Sequence, residues 1–199
     1  MRTVAVLTCL LVWISVSVAA EDVPDQLAGF TLGGQAEEFK DLIRMETMLP
    51  LRFSPFIHEV ETVEIPGFKY GLLWLGNCES PTRIVRIKMK YANPTQKFYD
   101  ELLKRMKQRF GEPDEWRGDP FHILIAWKWG FTDEHGNDIS MILEHNTRDE
   151  AETIGNLIKL TMWNLIKKEQ QCYQRKYPEK TEAEKLPRTP PDWDLMIPR

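Results

Sequence analysis

Residues 82–111 read TRIVRIKMKYANPTQKFYDELLKRMKQRFG, and their pattern changes period halfway. In 82–91, Val85, Ile87, Met89 and Tyr91 alternate with Arg86, Lys88 and Lys90. That is a strand with one apolar side and one wet side. Asn93-Pro94-Thr95-Gln96 then reads as a helix start, with Asn93 as cap, Pro94 in the first helical position and Gln96 three after the cap. Phe98, Tyr99, Leu102, Leu103, Met106 and Phe110 follow on one side of that helix, which closes at Gly111 before Pro113. A half-wet strand feeding an amphipathic helix implies an antiparallel sheet with helices laid on it. The class is α+β.

Working outward, residues 57–65 are rich in β-branched side chains and end at the turn signal Pro66-Gly67. Residues 68–76 alternate again, placing Phe68, Tyr70, Leu72 and Trp74 on one face. Before them, Ala36, Phe39, Leu42, Ile43 and Leu49 fall at helical spacing, so a helix is expected over 36–49 with Pro50 as its stop. On the other side, 122–131 alternates Ile123, Ile125, Trp127, Trp129 and Phe131 with smaller or polar residues. Residues 133–137 make a hairpin turn, strands follow at 139–145 and 156–162, and 163–176 is a closing helix. The order is helix, three strands, helix, three strands, helix. The expectation is an antiparallel sheet of about six strands with helices packed on one face. The halves, 29–91 and 92–176, read as a diverged tandem repeat of helix-βββ units, on architecture rather than residue identity.

The ends read differently. Met1-Arg2, an apolar run over 4–18 and small residues Val18-Ala19-Ala20 form a secretory signal peptide over 1–20. The run of about 15 residues is too short to span hydrocarbon, so no transmembrane segment is expected in the mature chain. From Tyr177 onward, five prolines among many charges predict a mostly disordered tail over 177–199, leaving 21–176 as a single domain. Periplasmic or secreted residence follows.

Removing Arg2 with the signal moves the formal charge from -4 to -5. A mildly acidic chain gives no electrostatic reason to expect nucleic acid. Cys9 leaves with the signal, so Cys78 and Cys172 remain as one pair, and in an exported protein a lone pair is most simply a disulfide. It would close about 94 residues, worth about 4 to 5 kcal/mol by chain entropy.

Catalytic motifs are sparse. There is no Gly-X-Ser-X-Gly, no His-Glu-X-X-His and no Gly-rich phosphate loop, so neither a catalytic set nor a cofactor is assigned. The four histidines at 58, 122, 135 and 145 are scattered, and no metal site is assigned. Asp133, Asn137 and Asp138 lack the register of a calcium loop and read as a polar turn. In the stretch Trp116-Arg117-Gly118-Asp119-Pro120-Phe121, Asp119 reads either as a general acid with a raised pKa or as the residue that orders the turn, the second reading preferred. Two further groups are candidates for binding. One is the basic stripe Arg83, Arg86, Lys88 and Lys90, with Glu59, Glu61 and Glu64 as cross-strand neighbours. The other is the aromatic row Trp127, Trp129 and Phe131, with Trp74 and Tyr70. It is a core face if buried and a protein-binding platform if exposed.

The helix-plus-antiparallel-strands unit, doubled over 29–175, resembles the beta-lactamase inhibitor protein architecture. Gly29-Phe30-Thr31-Leu32-Gly33 is similar to the Gly-X-X-X-Gly opening of small outer-membrane assembly lipoproteins, though this chain lacks their lipidated cysteine. The whole looks like a member of the secreted, uncharacterised proteins of Gram-negative bacteria. Fold analogy does not carry function, and the leading expectation is a non-enzymatic exported protein that binds another protein or an envelope component through a sheet face. The alternative is a small hydrolase or ligand-binding protein with a pocket near Trp116, Asp119 and Trp129. Nothing in the sequence excludes a homo-oligomer.

Overall fold

In the computed structural model, residues 23–147 and 154–179 are described. The expected signal peptide and the tail beyond residue 179 lie outside them. A small hairpin of β1 (Gln26–Leu27) and β2 (Phe30–Thr31) leads into a 3₁₀ segment, Ala36–Leu42. Four strands follow: β3 (Ile43–Leu51), β4 (Ser54–Thr62), β5 (Phe68–Gly76) and β6 (Ile84–Tyr91). After α1 (Gln96–Phe110) come β7 (Glu115–Trp116), β8 (Leu124–Thr132), β9 (Asp138–Asn146) and β10 (Gly155–Met162), and α2 (Trp163–Lys176) closes the chain.

Strands β3 to β10 form one antiparallel sheet of eight, ordered β3-β4-β5-β6-β10-β9-β8-β7. This corrects the expectation of about six strands. The order is symmetric: each half is a meander of four, and the last strand of each, β6 and β10, meet at the centre. Each half thus has a helical segment followed by four strands rather than three.

The first extra strand lies where the spacing predicts a helix. Residues 36–49 do not make one helix: the 3₁₀ segment ends at Leu42 and β3 runs on from Ile43. The reason is position. As the edge of the sheet, β3 needs few inward side chains and tolerates a proline, so neither its sparse apolar residues nor Pro50 argued against a strand. Its register slips between Arg44 and Leu49, and Thr47 secures that bulge by donating to the Arg44 carbonyl and accepting from Glu61 N–H. The second extra strand is β7, two residues long. The start of α1 also moves. Thr95 rather than Asn93 is the cap, accepting from Phe98 N–H at 3.3 Å, while Asn93 Oδ1 accepts from Thr95 N–H and hydroxyl.

One face of the sheet is the core. Leu73, Ile87, Leu160, Met141 and Trp129 are cross-strand neighbours running β5-β6-β10-β9-β8, and all are buried. Tyr99, Leu102, Leu103, Met106 and Phe110 of α1 pack into the same cluster, as do Phe30, Leu32 and Ala36 from the N-terminal segment. Helix α2 packs against β4, β5, β6 and β9.

Cys78 and Cys172 form the disulfide, with 5.8 Å between their Cα atoms. One helical turn earlier, the buried Glu169 carboxylate accepts four backbone N–H groups from the loop after β5. Oε2 takes Asn77, Cys78 and Glu79 at 3.1, 2.6 and 3.0 Å, and Oε1 takes Ser80 at 2.7 Å. The loop curls around a carboxylate as such loops curl around anions. Gly76 is required here, because a Cβ would lie 2.6 Å from Glu169 Oε1 and 2.5 Å from the Ser80 carbonyl.

Candidate functional site

The other face of the sheet carries the basic stripe, and register places its side chains in rows. One row runs Glu59, Trp74, Arg86, Thr161, Ser140 across five strands. The next runs Glu61, Leu72, Lys88, Lys159, Ile142, and a third includes Tyr70, Lys90, Leu157 and Glu144.

Arg86 sits at the centre of the first row. Its guanidinium lies 3.6 Å from the centroid of the Trp74 ring and 5.7 Å from that of Trp163, and its Nε donates to Thr161 Oγ1 at 2.9 Å. Burial pushes its pKa down to about 10, against the pull of Glu59 and Glu144. The indoles around it are oriented in turn. Trp74 Nε1 donates to Glu59 at 2.8 Å, and Trp163 Nε1 donates to Ser140 Oγ at 2.9 Å. Trp163 remains 39 % exposed beside this row.

Below Arg86, the half-buried Lys88 has Leu72 and Lys159 as its cross-strand neighbours. Lys159 is held by Glu144 at 2.6 Å. Lys90 is buried, and its pKa is lowered by that burial and then by Lys69 and Lys88. The expected pairing of Glu59, Glu61 and Glu64 beside the stripe does not occur, because β5 lies between β4 and β6. Glu59 turns to Trp74 and Glu61 to Arg44 on β3. Arg83 lies before β6, with its Nε buried and unbonded among the described residues.

The aromatic row is split by the fold. Trp129 and Phe131 are core residues beneath α1: Trp129 is 1 % exposed and donates Nε1 to the Gly111 carbonyl at 2.9 Å, and Phe131 packs edge-on against Phe110. Trp127 is half-buried, with Trp116 edge-on at 4.8 Å and Lys107 above its ring. A platform of Trp127, Trp129 and Phe131 is thus ruled out, because two of its three members are inside. Trp74 and Tyr70 stand on the opposite face, with the basic stripe.

Asp119 is spent on its loop. Oδ1 accepts Phe121 N–H at 2.8 Å and Oδ2 accepts Leu124 N–H, and these bonds hold its pKa below the ordinary value of 3.8. A carboxyl with a lowered pKa does not serve as a general acid near neutrality, which corrects that reading. Trp116 lies beside this loop, but Trp129 does not open into a pocket with them. Asp133 likewise orders its hairpin turn, accepting from His135 and Asn137. Among the described residues, no three His, Cys, Asp or Glu side chains gather to hold a metal, and no helix is long and apolar enough to cross a membrane.

Trp163, Thr161 and Glu144 belong to the site and were not read from the sequence. Their only signal is the pairing of β10 with β6 and β9, which no local pattern announces. Comparison with protein-family models, curated proteins and solved structures finds no match.

Proposed function

We propose that this protein is a non-enzymatic, exported binding protein that takes another protein or an envelope component on the basic face of its sheet. The observation that carries the reading is the Glu59-Trp74-Arg86-Thr161-Ser140 row. A partly desolvated arginine clasped by two oriented tryptophans is the chemistry that dominates protein interfaces. The face is presented on strands of a continuous sheet, so its side chains are held in place before any partner arrives. A hydrolase centred on Asp119 has no support from a carboxyl whose two oxygens are bonded to backbone.

A photo-crosslinking residue at Leu72 tests the proposal. It should capture a discrete partner in the exported fraction of the source cells, and Arg86→Glu should abolish that capture. The same residue placed at Lys104, on the outer side of α1, should capture nothing comparable. Identical products from both positions would defeat the reading.

A further inference from the structure

The charges on the basic face are unevenly paired. Two carboxylates there are in ion pairs, Glu61 with Arg44 and Glu144 with Lys159, and Glu59 is bonded to the Trp74 indole. Arg86 and Lys88 make no ion pair among the described residues. Among the described residues Arg86 bonds Thr161 and lies over the two indoles, with Glu59 and Glu144 acting on it from longer range, and Lys88 faces Leu72 on one side and a cation already engaged on the other. Burying a cation whose counter-charge is incomplete opposes folding, and a ligand that supplies the missing charge recovers the loss; for Arg86, Glu59 and Glu144 offset the cost of burial only in part.

Their spacing restricts the ligand further. Arg86 and Lys88 are alternate residues of β6 on one face, so their attachment points are about 6.6 Å apart along the strand. Carboxylates on alternate residues of any extended polypeptide have the same separation. Leu72 and Ile142 lie in the row of Lys88 and offer apolar contact to the methylene stems of such acids.

We infer that the basic face receives an extended acidic polypeptide with a carboxylate on every second residue, one set against Arg86 and the next against Lys88. This rests on the binding reading above and specifies the partner's chemistry. A compact oxyanion would need cations converging on a point, whereas these are strung along a strand.

The test uses the purified protein, tryptophan fluorescence at about 50 mM salt, where exposed charges are weakly screened, and two blocked decapeptides of identical composition. One alternates Asp and Val; the other has five Asp followed by five Val. The alternating peptide should bind several-fold more tightly than its isomer. Lys88→Gln should weaken that binding about tenfold, and Lys88→Arg, which keeps the charge, should restore it even if the glutamine variant folds poorly. Equal affinity for the two peptides, or arginine and glutamine variants that bind alike, would overturn the inference. So would inorganic phosphate or phosphatidylglycerol vesicles binding in a Lys88-dependent way while the peptides do not. A partner crosslinked at Leu72 alongside a failed peptide assay leaves the binding reading standing and removes only this one.

Discussion

At the scale of single residues, polar groups in this chain are used mainly to fasten loops. Asp119 and Asp133 are turn residues whose carboxylates collect backbone N–H groups, and both pKa values are lowered by those bonds. A carboxylate with a folded-state pKa below its unfolded value contributes stability that is present above the unfolded value and lost as pH falls through the folded one. For Asp119 the window opens near its ordinary 3.8 and extends below it. The protein should lose stability as pH drops through that range, and Asp119→Asn should make the loss shallower without removing it, because Asp133 and Glu115 titrate in the same direction. Urea unfolding followed by tryptophan fluorescence at a series of pH values measures this. An unchanged acid slope in the variant would show that the Asp119 bonds do not favour its charged form. The identity of this turn residue was legible in the sequence, since aspartate before proline ahead of a strand has few other uses.

At the scale of elements, the sequence was readable where one face is wet and one is dry. Strands β5 and β6 and helices α1 and α2 match the periodicities, and α2 does so to the residue. Failure came at the edges. β3 has one neighbouring strand, so its pattern is too weak to distinguish a strand from a short amphipathic helix. β7 has only two residues. Alternation also cannot say which side of a strand the helices cover. For this reason the sequence alone groups Trp74 and Tyr70 with Trp129, although they face away from it. The capping of α1 carries a measurable consequence. Thr95, rather than Asn93, accepts the Phe98 N–H, so Thr95→Ala should cost about 1 kcal/mol in chemical denaturation. Asn93→Ala should act only through the Thr95 hydroxyl and N–H that it orients, and so cost less. The opposite ranking would return the cap to Asn93.

At the scale of the whole molecule, α2 is joined to the sheet by two links on the same loop. The Cys78–Cys172 disulfide closes a separation of 94 residues, which corresponds to about 4 to 5 kcal/mol if it acts only on the unfolded chain. Glu169 grips the same loop through four N–H groups, and removing its charge by Glu169→Gln should cost about 3 kcal/mol, a buried charge-assisted network being weakened. How the two combine distinguishes their mechanisms. If the disulfide acts purely through unfolded-state entropy, the losses add. If it also pre-orders the loop that holds the carboxylate, Glu169→Gln should cost less in the Cys78→Ser, Cys172→Ser background than in the parent. Cys172 lies one helical turn beyond Glu169, and the Cys78 N–H is itself a donor to that carboxylate at 2.6 Å, so the links share a residue. A double-mutant cycle by urea denaturation should therefore show coupling of about 1 kcal/mol or more. Strict additivity would mean that the loop finds its curled form without the disulfide, and that the staple acts only before the protein folds.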